Sequence, residues 1–205
     1  MIRIVVPFYS EFEAVKPGLR ALRSAGVEFD VQPVQGPLVH NNRNLGVNAA
    51  RSQATFQSAV EGYSHFLFID SDIGFTPAHV HNALKHKAPV VTLPYLRHEN
   101  DGFYQVGELG PNYSITKRYD RYERGLRQVT FTGAGFLLVA SSVFGLLKFP
   151  WFHHSAITVG EESFAVGEDV LFSYKLTRAD IPILCDFDYP VQHRLRRPED
   201  FDVGF

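Results

Sequence analysis

Short runs of apolar residues, rich in β-branched and aromatic side chains, alternate along this chain with stretches whose apolar residues recur at helical spacing. The runs Ile2 to Val6, Glu28 to Val34, His65 to Ile69, Pro89 to Leu93, Phe136 to Val139 and Ile181 to Phe187 predict strands. The most continuous of them suit strands buried on both faces of a largely parallel sheet. Pro7 is expected to end the first strand. Between the runs, Pro17 opens a helix at its first turn, Leu19 and Leu22 give it an apolar stripe, and Gly26 stops it. Asn44 to Glu61 carries Val47, Ala50, Ala54 and Ala59 at helical spacing and ends at Gly62, which predicts a second helix. Thr76 followed by Pro77 is an N-cap with a first-turn proline and predicts a helix from Pro77 to about His86. Shorter helices are expected at Ser142 to Leu147 and from Gly167 to about Arg178.

Strand and helix alternating in this way predict an α/β layer structure, with ligands bound beyond the carboxyl ends of the strands. Two segments break the rhythm. His98 to Gln128 is rich in Gly, Tyr and Arg and reads as irregular with a strand or two. Phe149 to Val166 reads as a long mobile loop in which Trp151, beside Phe152, His153 and His154, offers an aromatic face to an acceptor or packs in the core. At 205 residues the chain suits one domain spanning 1–205. Its 45% hydrophobic and 20% charged residues are those of a folded protein.

The pattern Asp-x-Asp occurs at Asp70/Asp72, at Asp186/Asp188 and at Asp200/Asp202. Context separates them. The first pair directly follows a buried strand, so both carboxylates emerge at its carboxyl end, where residues two apart share a side. Held together there they repel unless a cation joins them, and hard oxygen ligands suit Mn²⁺ or Mg²⁺, ions that also bridge to phosphate oxygens. The competing role, capping the next helix, is already taken by Thr76.

The segment from Asn48-Ala49-Ala50-Arg51 through Phe66 to Phe75, around Asp70-Ser71-Asp72, resembles the centre of a GT-A glycosyltransferase, particularly of the family 2 type. Three further segments match in order: the first strand closing in Pro7-Phe8-Tyr9, then Gly133-Ala134-Gly135, then Gly167-Glu168-Asp169 with His193 beyond it. The resemblance implies a three-layer GT-A sandwich with a mostly parallel central sheet, a nucleotide-diphosphate sugar as donor, and Mn²⁺ or Mg²⁺ as cofactor. It implies that Pro7, Tyr9 and Glu11 line the nucleoside pocket and that Arg51 lies near the base or diphosphate. Asp70 would hold the ribose or reach the metal through water, Asp72 would ligate it directly, and His193 would be a further ligand. Asp169 would take the proton from the acceptor hydroxyl in an inverting transfer, with Glu168 beside it. Carboxylates in a helix's first turn are stabilised as anions, which works against that basicity. Gly133 and Gly135 would let backbone approach the donor sugar, or merely permit an unusual turn.

Retention on the same fold stays open, as does a non-catalytic nucleotide- or carbohydrate-binding module. A nucleotidyltransferase is disfavoured, because the first strand leads into Pro7-Phe8-Tyr9 and not into a Gly-rich phosphate loop. The acceptor is unspecified: a glycan, or a hydroxymethylated base in DNA. Net charge of -2 provides no global attraction to polyanions; in Lys117 to Arg127 basic and aromatic residues interleave, which leaves a nucleic-acid-binding domain as an alternative, but the acidic residues within the run suit a solvated surface. Cys185 has no partner cysteine and sits in an apolar run, so it is expected to be buried and inert, in a reducing cytoplasm. No secretory leader and no integral membrane association are expected, since no apolar run approaches the roughly 20 residues of a span.

Overall fold

The computed structural model of the chain describes residues 1–49, 59–96, 102–111, 113–159 and 161–194. In chain order the elements are β1 (Ile2–Phe8), α1 (Lys16–Ser24), β2 (Phe29–Gln35), α2 (Val39–Val47), β3 (His65–Ile69), β4 (Ile73–Gly74), α3 (Pro77–Lys85) and β5 (Val90–Thr92). Then follow β6 (Phe103–Leu109), β7 (Ile115–Asp120), β8 (Leu126–Val129), β9 (Phe131–Thr132), β10 (Phe136–Ala140) and α4 (Ser141–Leu146). The last are β11 (Ser155–Val159), β12 (Glu162–Val166), α5 (Glu168–Arg178), β13 (Ile183–Asp186) and β14 (Gln192–His193).

A seven-stranded sheet in the order β2-β1-β3-β10-β5-β13-β8 forms the middle layer. β1 is parallel to both β2 and β3, and β13 is parallel to β5, while β10 and the edge strand β8 run antiparallel to their neighbours. Strand pleating explains why the inner strands are apolar on both faces: Ile4, Val6, Leu67, Ile69, Phe136 and Leu138 face one core, with Leu22 of α1 and Val80 of α3. Their neighbours Val5, Phe66, Phe68, Leu137 and Val139 face the other, with Phe144 of α4 and Phe172 and Leu176 of α5. This is a three-layer, mixed α/β arrangement with a large, mostly parallel sheet. Among the described residues no helix is long and apolar enough to cross a membrane.

Four expectations are corrected. β1 runs through Pro7 to Phe8, paired with β2 to its end, because its pairing with β3 stops at Val5 and the missing proline N–H falls beyond it. The helix expected over Asn44 to Glu61 is instead α2, which starts at Val39 and ends where Asn48 turns extended (φ -68°, ψ 125°); residues 50–58 of the expected span lie outside the described residues. The irregular stretch to Gln128 contains three strands, β6, β7 and most of β8, with β6, β7 and β9 forming a small sheet. Most of the expected loop from Phe149 to Val166 is a hairpin, β11 pairing with β12 from Ser155↔Val166 to Val159↔Glu162. Ahead of it Trp151 has no exposed surface and its indole N–H donates to the Phe144 carbonyl at 2.9 Å, so it packs in the core and presents no face to an acceptor. Cys185 is fully buried, and burial pushes its thiol pKa well up.

Candidate active site

β3 delivers the first acidic pair. Its ladder with β10 continues one step past the strand, Asp70 N–H donating to the Gly135 carbonyl at 3.0 Å, after which Asp70 to Ile73 turns tightly (Ile73 N–H to Asp70 O, 3.0 Å). The chain's far end then returns to this turn. β14 pairs antiparallel with β4, placing His193 opposite Ile73, and Arg194 N–H donates to the Asp72 carbonyl at 2.8 Å. In consequence His193 Nε2 lies 3.3 Å from Asp72 Oδ2, while its Nδ1 lies 2.9 Å from the Leu96 carbonyl. A carbonyl accepts only, so Nδ1 carries the proton and a neutral ring would turn the Nε2 lone pair toward Asp72, the tautomer a metal-ligating histidine needs. Burial pulls the His193 pKa down, but the hydrogen bond and charge of Asp72 outweigh it and the net shift is upward.

Two adjoining cavities open at this turn. One of about 210 Å³ is lined by Pro7, Tyr9, Asn42, Asp70 and Asp72 among others; the next, of about 340 Å³, shares Tyr9 and Asp72 and adds Glu11 and Arg194. Pro7, Tyr9 and Glu11 thus line the space beside the acidic pair. Arg51 lies outside the described residues.

The second acidic pair reaches the same place through a residue that the sequence reading passes over. Arg43 on α2 donates from Nη1 to Glu168 Oε1 and from Nη2 to Asp70 Oδ1. Its side chain keeps 3% of its surface exposed against 29% for Asp70 and 13% for Glu168, so the cation lies beneath both carboxylates. Burial alone would pull its pKa down; Asp70 and Glu168 more than reverse this, and it stays charged. At Asp70 burial pushes the carboxyl pKa up, Arg43 opposes and Asp72 adds to the rise, leaving it above the usual range.

Gly167 N-caps α5, which presents Glu168 and Asp169 in its first turn. Asp169 Oδ1 accepts the Val170 N–H at 2.8 Å. Here burial and then the charge of Glu168 push the Asp169 pKa up, with Arg43 and the backbone N–H groups opposing. Glu168 Oε2 is also 3.1 Å from His154 Nε2 at the foot of the β11–β12 hairpin.

Tyr95 is the other residue missed. Its hydroxyl accepts the Gly135 N–H at 3.2 Å, its ring meets His193 edge-on at 5.5 Å, and burial, then the charges of Asp70 and Asp169, drive its pKa far up. It also explains the glycine pair: a Cβ on Gly133 would lie 2.2 Å from the Tyr95 hydroxyl, and one on Gly135 2.7 Å from its ring. The space those glycines leave is filled by Tyr95. The signal was the Gly-x-Gly itself, which marks a close approach without saying by what.

Among the described residues no three His, Cys, Asp or Glu side chains converge as a ready-made cation cage. Asp72 and His193 supply one oxygen and one nitrogen at neighbouring positions, a donor pair that fits Mn²⁺ if phosphate and water complete the shell. Of the other acidic pairs, Asp186 is buried against His86 (2.7 Å) and accepts the Asp188 N–H, while Asp188 accepts the Gly125 N–H, so that pair closes turns. Asp200/Asp202 lies outside the described residues.

No protein-family model matches the chain, and no curated protein does. Solved structures do. A viral protein, A197 from STIV, is similar over 96% of this chain and 95% of its own, with 15% identity and a TM-score of 0.57. A mutant of Drosophila beta-1,4-galactosyltransferase 7, in complex with manganese, UDP-Gal and xylobiose, is 15% identical over 100% of this chain and 76% of its own, with a TM-score of 0.50. GalNAc-T7, with UDP, GalNAc and Mn²⁺, is 12% identical over 100% of this chain but 46% of its own, with a TM-score of 0.57. Likeness at such identities shows the fold, and the fold is that of GT-A glycosyltransferases.

Proposed function

We propose that the chain is a metal-dependent glycosyltransferase that moves a sugar from a nucleotide-diphosphate donor to an acceptor hydroxyl with inversion. The observation that carries this reading is the double ion pair of Arg43. It brings the acidic turn after β3 and the first turn of α5, far apart in sequence, to opposite sides of one guanidinium. The acids of the cleft and Glu168, the neighbour of Asp169, whose raised pKa suits a general base, are thereby tied to one cation.

In this reading Pro7, Tyr9 and Glu11 border the nucleoside, with Arg51 and Asp70 contributing to the donor site and Gly133 and Gly135 shaping it through Tyr95. Asp72 and His193 would hold Mn²⁺ or Mg²⁺, and a bound ion would supply positive charge where the departing diphosphate becomes more negative. The acceptor oxygen forms its bond to the anomeric carbon, and the bond from that carbon to the diphosphate oxygen breaks, its electron pair staying with the diphosphate. Asp169 receives the acceptor's proton. Tyr95, with its raised pKa, keeps its proton and adds no negative charge between Asp70 and Asp169. Two of the similar structures carry UDP with manganese, which makes UDP-sugars the first donors to try.

The test is a panel of nucleotide sugars, UDP-Gal among them, incubated with Mn²⁺ and no acceptor, and scored by slow donor hydrolysis and by thermal stabilisation. One donor should raise the melting temperature only when Mn²⁺ is present. If no nucleotide sugar is hydrolysed or stabilises the fold, the transferase reading fails; stabilisation without any turnover in the presence of acceptors would leave a binding module.

A further inference from the structure

Arg43 is a fully enclosed cation fixed through Nη1 and Nη2 by its two carboxylate partners, with Nε left without a hydrogen-bond partner among the described residues. Gly46, one turn on along α2, lies so close to β1 that a Cβ there would be 2.2 Å from Val5 Cγ1, which seats the helix directly on the sheet. Asn42 donates to the Gly36 carbonyl at 2.9 Å, beside the smaller cavity. Asn44 makes a two-way bond with the main chain of Phe152: its amide donates to the carbonyl at 2.6 Å and its Oδ1 accepts the N–H at 3.0 Å. The Phe152 ring in turn lies 5.8 Å from the guanidinium. Asn42, Arg43 and Asn44 are 4%, 2% and 3% exposed, three successive polar residues buried on one helix. Burying them is costly unless they are partnered, and their partners come from separate segments: Gly36, the turn at Asp70 with the first turn of α5, and the main chain of Phe152.

Arg43 lies beneath the cleft and does not line either cavity. Four carboxylates surround this point, Asp70, Asp72, Glu168 and Asp169, and the two that touch Arg43 come from the donor side and the base side. A planar fork can serve two carboxylates in fixed directions at once, which a lysine's point charge cannot. We propose that Arg43 is a positioning residue that sets the spacing between the donor turn at Asp70 and the base-bearing first turn of α5, so that donor binding and proton removal share one rigid link. The proposal rests on the transferase reading. Through Glu168, which also meets His154, the same link reaches the foot of the β11–β12 hairpin.

The experiment compares wild type with Arg43→Lys and Arg43→Met by thermal unfolding, by calorimetry with Mn²⁺ and UDP, and by kcat and KM for the nucleotide sugar the wild type turns over. Arg43→Met strands two carboxylates without a cation and is expected to melt far lower, so Arg43→Lys carries the test. The lysine variant should fold and bind Mn²⁺ with UDP, yet lose about 100-fold in kcat with a much smaller change in KM, as misplaced reacting groups require. Where Arg43→Met stays folded, the acid limb of its rate profile should move to higher pH, because Arg43 opposes the upward pull of burial and Glu168 on Asp169, beside which Tyr95 is neutral. A purely structural arginine would lower the melting temperature without splitting kcat from KM. Wild-type kcat in a folded Arg43→Lys variant overturns the proposal alone; a wild type that neither binds Mn²⁺ with UDP nor hydrolyses any nucleotide sugar overturns the donor site, and the proposal with it.

Discussion

Replacing Asp169 by Asn separates chemistry from folding more cleanly than any other single change at this site. The asparagine keeps an oxygen where Oδ1 accepts the Val170 N–H at 2.8 Å, so the first turn of α5 should hold its geometry. What is lost is a proton acceptor. General bases contribute roughly 100- to 10,000-fold, or about 3 to 5.5 kcal/mol of transition-state stabilisation, and transfer should fall by that much. Stability should move the other way. Burial and Glu168 raise the Asp169 pKa above its ordinary value of 3.8, so the folded protein binds more protons than the unfolded chain between those two values, and wild-type stability falls as pH rises through that window. An uncharged asparagine has no such dependence. The variant should therefore melt at or above the wild-type temperature at neutral pH while transferring poorly. The wild-type rate itself should rise with pH through a midpoint above the ordinary carboxylate value, since only the anion accepts a proton. Initial rates with saturating donor and acceptor, alongside thermal melts from pH 4 to 8, provide the check. Transfer within twofold of wild type would remove Asp169 from the base role.

Asp72→Ala should abolish Mn²⁺-dependent binding of UDP in calorimetry, and His193→Ala should weaken it by at least about 10-fold, given the loss of one of two protein donors; unaltered heats would place the cation elsewhere. Gly46→Ala should cost about 1 to 3 kcal/mol in denaturant unfolding, because its Cβ would meet Val5 Cγ1 at 2.2 Å across a helix–sheet contact with no slack; a neutral result would mean that α2 is free to lift from β1.

The sheet was legible because its inner strands are buried on both faces. Apart from Arg3 and His65, the runs Ile2 to Val6, His65 to Ile69 and Phe136 to Val139 are apolar throughout, and the acids that follow Ile69 stand out against them. Thr76-Pro77 and Gly167 likewise announce α3 and α5 through local backbone chemistry. Arg43 was not legible. Asn-Asn-Arg-Asn has no apolar periodicity to mark it, and what buries it are partners 27 and 125 residues away, which no local pattern records. Tyr95 was hidden for a related reason: the glycines that make room for it were visible, but the ring that fills the space lies about 40 residues earlier. The Ser155 to Val166 hairpin does not stand out because its strands mix Ser155, Thr158, Glu162 and Ser163 with apolar positions, and Trp151 just ahead of it belongs to the core.

The central claim is that a divalent cation held by Asp72 and His193 carries a nucleotide diphosphate at the end of β3. Crystals soaked with MnCl₂ and UDP, with anomalous scattering collected at the manganese edge, test it most directly. The account predicts one anomalous peak within about 2.3 Å of both Asp72 and His193 side-chain donors, with diphosphate oxygens completing the shell. A peak at any other cluster, or UDP bound away from Tyr9 and Asp72, would contradict it.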